Sequence, residues 1–482
     1  MSMSIARALE VLALQEPGAV AVRHGAVTTT RRQLDLDTNR LARAWSGTVG
    51  QDDLVTISLP NGLDFVRACV AAWKLGATPQ PLSTTIGAEE RDRVLELARP
   101  ALVVDRPIGV AEGDGTPLPD RVATSWKAPA TSGSTGRPKL VRAAAPGTVD
   151  PHGPIADFVP RDAVQLVAGP LTHAAPFVYA MRGLMTGHEL VLMSGFEPDA
   201  WLSLVAEHRV TWGMLVPTMM HRIHRLGPER LETADVSSLE AVLHLGARCA
   251  PWLKRAWIDW LGPDRVVEVY AGTESQGLAM ITGREWLDHP GSVGRGCGGS
   301  RFRVVRQDGA DCAPGEVGEI VMRRDAPTYS YVGETPRVRD GWHTLGDSGH
   351  LDGDGYLYVG DRLDDVIVTA GGPVHPADVE QVLDAHPEVR GSVVVPRDDE
   401  DRGQVVHAVV ETTAGVEELL AWISGRLDRG KHPRSWELVR GPLRPDTGKV
   451  RRRDWRPRDG RRDDPYRTAG CDESPAIEGT IA

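Results

Sequence analysis

Nine consecutive residues, Thr131-Ser132-Gly133-Ser134-Thr135-Gly136-Arg137-Pro138-Lys139, hold four hydroxyls, two glycines and a lysine. Glycine frees the backbone to turn, so that N–H groups can converge on an anion. The hydroxyls add donors and Lys139 adds charge. This composition suits a phosphate cradle. A Walker A loop would place the lysine directly after the second glycine. Here Lys139 comes three residues later, with Pro138 between. A flexible Ser/Gly linker is the plain alternative, but a lysine followed by apolar Leu140-Val141 is unlike one.

Four further segments could do chemistry. Tyr270-Ala271-Gly272-Thr273-Glu274 closes an apolar strand pattern. The end of a sheet strand is where α/β proteins bind ligands, and a carboxylate there suits a hard cation. Gly346-Asp347-Ser348-Gly349 and Gly360-Asp361-Arg362 set a carboxylate and a guanidinium in turns. Pro445-Asp446-Thr447-Gly448-Lys449-Val450 carries one of only six lysines among 55 basic residues. Lysine in so arginine-rich a chain points to positions that need a compact ammonium. The neighbouring Arg451-Arg452-Arg453 reads as solvated charge.

Together these segments resemble the AMP-forming adenylating enzymes: acyl- and aryl-CoA ligases, nonribosomal-peptide adenylation domains and luciferases. The resemblance spans about residues 25 to 453. It implies that Thr131, Ser132, Gly133, Ser134, Thr135, Gly136 and Lys139 bind ATP phosphates. It implies that Thr273 meets the α-phosphate, and that Glu274 helps hold Mg²⁺ within the Tyr270, Ala271, Gly272 motif. Asp347 would accept the ribose hydroxyls, with Arg362 near ribose and phosphate. Gly246-Ala247-Arg248 matches the segment that lines adenine. Lys449 would bridge substrate carboxylate and α-phosphate, and Asp364 falls at the family's domain hinge. His173 resembles the gate of the acyl pocket; a structural histidine is the equal alternative. Ala271 stands where the family usually has Gly.

The same resemblance narrows the substrate. No carboxylate follows His173 in Ala174-Ala175-Pro176-Phe177, which disfavours an α-amino acid. Val216-Pro217-Thr218-Met219-Met220 and Glu285–Gly294 look most like bacterial CoA ligases for bulky acids (fatty, bile or aryl). Pro176, Phe177, Met214 and Met219 would line an apolar pocket, with core packing as the alternative for the methionines. The loop Gly371-Gly372-Pro373-Val374-His375-Pro376 is shorter than the family's usual sequence and lacks its polar pair. Activation of an acid by ATP is therefore better supported than transfer to CoA. The acceptor remains CoA, a carrier-protein thiol or an amine; one variant is a diazotase of secondary metabolism that activates nitrite for an aryl amine. A nucleotide-binding regulator with a dead site is the non-enzyme reading, opposed by the full set of motif residues.

The elements that must position these residues follow from periodicity. Leu34–Trp45 and Asp64–Trp73 have helical apolar spacing, and 54–59, 101–104, 163–167, 211–216 and 266–270 read as strands. Residues 300–360 read as short strands with Gly/Asp turns. The expected fold is α/β: a large N-terminal domain (1–360) of two α/β layers plus a β-rich subdomain, then a small mobile α+β C-terminal domain (361–455). Residues 456–482 mix Arg, Asp, Gly and Pro without period and are expected to be a disordered tail. With 482 residues, 41% hydrophobic and 25% charged, the chain is globular rather than fibrous or disordered. Net charge of −11 argues against nucleic acid as partner. No apolar run is long enough to span a membrane, and no secretion signal is visible. Five cysteines without a CxxC pair suggest reduced thiols and a cytoplasmic protein, monomeric or a homodimer.

Overall fold

The structure, a computed structural model, describes residues 1–109, 112–132, 138–399, 403–441, 443, 452–456 and 477–480. A nine-stranded sheet forms its centre. Six of its strands are parallel neighbours, in the order Val266–Ala271, Ala241–His244, Trp212–Leu215, Val164–Val167, Glu189–Leu192 and Val20–His24. Their interior runs are apolar on both faces, as helices on both sides require. One face packs on the helices Pro198–Glu207, Pro217–His224 and Pro251–Leu261, around buried Trp201 and Trp257. The other packs against Ala174–Met185 and a second layer, where a three-stranded parallel sheet (Thr78–Pro81, Leu54–Ile57, Leu102–Val104) meets the helices Arg31–Trp45 and Leu63–Lys74. The predicted helices and strands appear within one to three residues of the expected bounds.

Residues 301–362 form the expected β-rich part, a five-stranded antiparallel sheet. Ala130–Ser132, Pro138–Ala143 and Tyr329–Val332 form a small sheet of three antiparallel strands. After Arg362, the strands Val389–Asp399, Gly403–Thr412 and Ser435–Val439 and the helix Pro376–Asp384 enclose a separate core. Residues 477–480, expected to be disordered, instead pair antiparallel with Ser435–Val439. That strand otherwise leaves one backbone edge open, and an open edge templates pairing.

Two sequence expectations change. Arg452 is not solvated: its guanidinium binds Glu380, lies 3.6 Å from Asp361 and 3.5 Å from Asp365, and its side chain is 15% exposed. Glu380 and Asp361 are buried carboxylates that need such a cation. Phe177 and Met219 belong to cores rather than a pocket. Phe177 packs among Phe65, Trp73 and Trp126, and Met219 sits on the opposite face of the sheet with Met220 and Ile223.

Candidate active site

The segments that carry the motifs leave the carboxyl ends of four adjacent parallel strands. Ala168–His173 follows Val164–Val167; Val216 follows Trp212–Leu215; Gly246–Arg248 follows Ala241–His244; Gly272–Glu274 follows Val266–Ala271. Parallel strands put all these ends on one edge, which is where such sheets bind ligands.

Glu274 lies at the centre. It is 6% exposed, and the turn that carries it is tight: Ser275 takes φ 55° and its N–H bonds Gly272 O at 3.0 Å. A Cβ on Gly272 would meet Glu274 Oε2 at 3.0 Å and the Leu345 side chain at 2.9 Å, so a larger residue would push on the Glu274 carboxylate. Tyr331 Oη donates to Glu274 Oε1 at 2.6 Å. Lys139 Nζ donates to Tyr331 Oη at 2.9 Å and stands 3.6 Å from Glu274 Oε1. Thr328 Oγ1 donates to the Glu274 carbonyl at 2.9 Å. Burial, then the Glu274 carboxylate, pushes the Tyr331 hydroxyl far above its ordinary range.

Thr131 stands opposite Lys139 in the small sheet, and its Oγ1 is buried without a hydrogen-bond partner. A buried hydroxyl without a partner, opposite a lysine, could donate to an anion. Among the described residues, no group of three or more His, Cys, Asp or Glu could hold a metal. Glu274 offers a single carboxylate, which suits a hard cation that takes its other ligands from phosphate and water.

Asp347 and Arg362 also meet. They are register partners in the hairpin Trp342–Leu351/Leu357–Arg362, with Arg362 Nε 3.5 Å from Asp347 Oδ1. Tyr270 Oη donates to Asp347 Oδ2 at 2.6 Å, which ties the central sheet to the β-rich part. Burial first, and Asp347 second, hold the Tyr270 hydroxyl well above its usual range. Arg248 reaches the C-terminal unit: its Nη1 is 3.9 Å from Asp378. With its amide oxygen turned to Arg248, Gln381 accepts from Nε at 2.7 Å. Gly246 is exposed with φ 92°, Ala247 and Thr273 are half-buried, and Ala271 is exposed. His173 caps the N-terminus of the Ala174–Met185 helix. Asp364 is exposed in the short turn Leu363–Asp365. Gly133, Ser134, Thr135, Gly136 and Lys449 lie outside the described residues, and of Ser132 only the backbone is described.

Sequence reasoning missed three groups. Tyr331 is one. Lys127 is buried between Glu274 and Arg182, with its ammonium 5.6 Å from the Trp126 ring centroid; burial lowers its pKa to about 8. Arg182 stacks on the other side of the problem, its guanidinium 4.4 Å from the same ring. The lysine scarcity was a usable signal for Lys127; nothing local marks Tyr331 or Arg182.

Comparison with known proteins agrees with this geometry. The AMP-binding enzyme family matches residues 9–127 and 129–332, and the AMP-binding enzyme C-terminal domain matches 378–448. A feruloyl-CoA synthase from Amycolatopsis is 30% identical, covering 91% of this chain and 95% of that protein. An indoleacetate–CoA ligase from Aromatoleum aromaticum is 28% identical, covering 92% and 95%. Among solved structures, o-succinylbenzoate CoA synthetase from Bacillus subtilis with its acyl-adenylate superposes with TM-score 0.80 at 24% identity, covering 96% of this chain and all of that one. The amide bond synthetase McbA from Marinactinospora thermotolerans gives TM-score 0.77 at 24% identity, covering 94% and 99%. The chain belongs to the AMP-binding enzyme family and is an AMP-forming ligase.

Proposed function

We propose that the site activates a carboxylic acid with ATP, releasing pyrophosphate, and passes the acyl group from AMP to CoA. The observation that carries this is that two polar clusters, Thr131 and Lys139 with Glu274, and Asp347 and Arg362 with Tyr270, are each anchored on the strand Val266–Ala271 or the turn that follows it, from segments up to 231 positions apart. Thr131 and Lys139 would bind phosphate oxygens, and Asp347 the ribose hydroxyls. Thr273 would face the α-phosphate, and Gly246–Arg248 would line adenine. Mg²⁺, held by Glu274, would offset phosphate charge while the carboxylate attacks and pyrophosphate leaves. Lys449 would be brought in by the C-terminal unit to neutralise charge at the new acyl-phosphate bond. We place the domain boundary at 360/361 and the hinge at Asp364. Lys449→Ala is expected to lower adenylate formation at least 100-fold, with ATP binding retained; adenylation near the wild-type rate rejects that role.

The acid should be compact and aromatic rather than long-chain. Its tail would pass His173 toward the core behind that residue. There Tyr179 packs edge-on against Trp212 at 5.9 Å and against Phe158 at 6.3 Å, beside Met214 and Leu243. On this reading these packed rings would stop a long chain and favour an aryl group. The test is pyrophosphate release across aryl, fatty and bile acids plus nitrite, with and without CoA, products weighed by mass spectrometry. An aryl-CoA supports the full reading. Pyrophosphate with every acid refused by CoA moves the acceptor to an amine or carrier thiol, and no pyrophosphate with any acid rejects activation itself.

A further inference from the structure

The strand Tyr329–Val332 lies beside Pro138–Ala143, with Tyr331 opposite Val141. Lys139 is two residues from Val141, so Tyr331 and Lys139 are diagonal neighbours on one face. Thr131, opposite Lys139 on the third strand, shares that face. The Tyr331 hydroxyl then does two things at once. It donates to Glu274 Oε1 at 2.6 Å and accepts from Lys139 Nζ at 2.9 Å. Its ring lies under the ammonium, 4.1 Å from Nζ to the centroid. The ring is itself braced by Tyr329, edge-on at 4.8 Å, whose hydroxyl pairs with His343 Nδ1 at 3.0 Å.

A buried carboxylate and an ammonium 3.6 Å apart would ordinarily close to a direct charge-assisted bond. Here a neutral hydroxyl stands between them. It satisfies one oxygen of Glu274 without contributing a full charge, and it gives Lys139 a partner other than the carboxylate. Glu274 Oε2, which faces Gly272, has no hydrogen bond to a described residue.

We propose that Tyr331 is a positioning residue that keeps Lys139 from pairing directly with Glu274, and so keeps Glu274 open to a divalent cation and Lys139 open to phosphate. This rests on Glu274 being the metal-holding carboxylate. Removing the hydroxyl leaves a buried acceptor unsatisfied. The nearest donor, Lys139, then closes on it and competes with the metal.

The test is Tyr331→Phe, which keeps the ring and its packing. ATP binding is measured by calorimetry against Mg²⁺ concentration, beside steady-state kinetics. The Mg²⁺ needed for half-maximal ATP tightening should rise about tenfold, roughly 1.4 kcal/mol. ATP affinity in EDTA should also fall, because Lys139 is drawn from phosphate to Glu274, while KM for the acid should move less than about threefold and saturating Mg²⁺ should restore kcat. In a Lys139→Met background the tyrosine substitution should add no further Mg²⁺ effect, because the ammonium that Tyr331 holds off is gone. An unchanged Mg²⁺ requirement with a lowered kcat overturns the proposal and makes Tyr331 structural. Glu274→Gln separates the two readings. If it leaves Mg²⁺ dependence intact, the metal assignment falls and the role of Tyr331 with it; if it abolishes that dependence while Tyr331→Phe does not shift it, only the role of Tyr331 falls.

Discussion

Lys127 is a buried ammonium whose surroundings oppose its charge. Burial is the main cause, Arg182 adds repulsion, and Glu274 offsets part of both. With a folded pKa of about 8 against an ordinary 10.5, the unfolded chain binds more protons between those values. Stability therefore rises with pH through that window, and the full cost, roughly 3 kcal/mol, is present below it. Lys127→Met is expected to raise the melting temperature at pH 7, with the gain shrinking toward pH 10.5; a gain independent of pH would place the effect in packing instead. Tyr179 and Phe177 stand two residues apart on one helix and should behave differently. Phe177→Ala should cost about 3–5 kcal/mol by leaving a cavity among Trp73 and Trp126, with acid preference unchanged. Tyr179→Ala should open the packed rings and extend activity to longer acids, read as kcat/KM across a chain-length series. Equal effects of both on preference would refute the assignment of the two faces.

The motif strings were legible because each is contiguous: Thr131–Lys139 and Tyr270–Glu274 carry their chemistry within a few residues, and a strand before them fixes where they end up. Helices such as Leu63–Lys74 and strands such as Leu54–Ile57 were legible from period alone. Tyr331 was not, because it lies 57 residues from Glu274 and 192 from Lys139, and only strand pairing joins them. Phe177 was misread because consecutive helical residues look alike in sequence while their side chains diverge by about 100°. Arg452 was hidden in a run of three arginines, and only the Pro376–Asp384 helix, which supplies Glu380, singles it out. Arg452→Ala should take the guanidinium from the buried Glu380 carboxylate, which keeps the Val394 N–H at 2.8 Å, at a cost of about 3–5 kcal/mol. The C-terminal unfolding step in calorimetry should fall accordingly; an unmoved transition would mean that solvent reaches Glu380.

Among the described residues, polar contacts between the C-terminal unit and the larger part include Arg225 Nη1, which donates to Val389 O at 2.8 Å, and Arg248, which meets Asp378 and Gln381. Contacts of that kind are individually weak, which is compatible with the reorientation proposed for this unit. The connection runs through Leu363–Asp365. Asp364→Pro removes one backbone donor and narrows the rotation available there. It should slow one half-reaction at least tenfold more than the other, measured as pyrophosphate exchange and as thiolysis of preformed acyl-adenylate. Equal losses would put the hinge elsewhere.

The cluster around Arg452 has a mechanical consequence. One guanidinium gathers Glu380 from the helix Pro376–Asp384 together with Asp361, just before the short turn Leu363–Asp365, and Asp365, at its end. It rivets the segment that enters the C-terminal unit to a helix inside that unit. A pull on the connection is therefore passed to the body of the unit instead of being absorbed by its first turns.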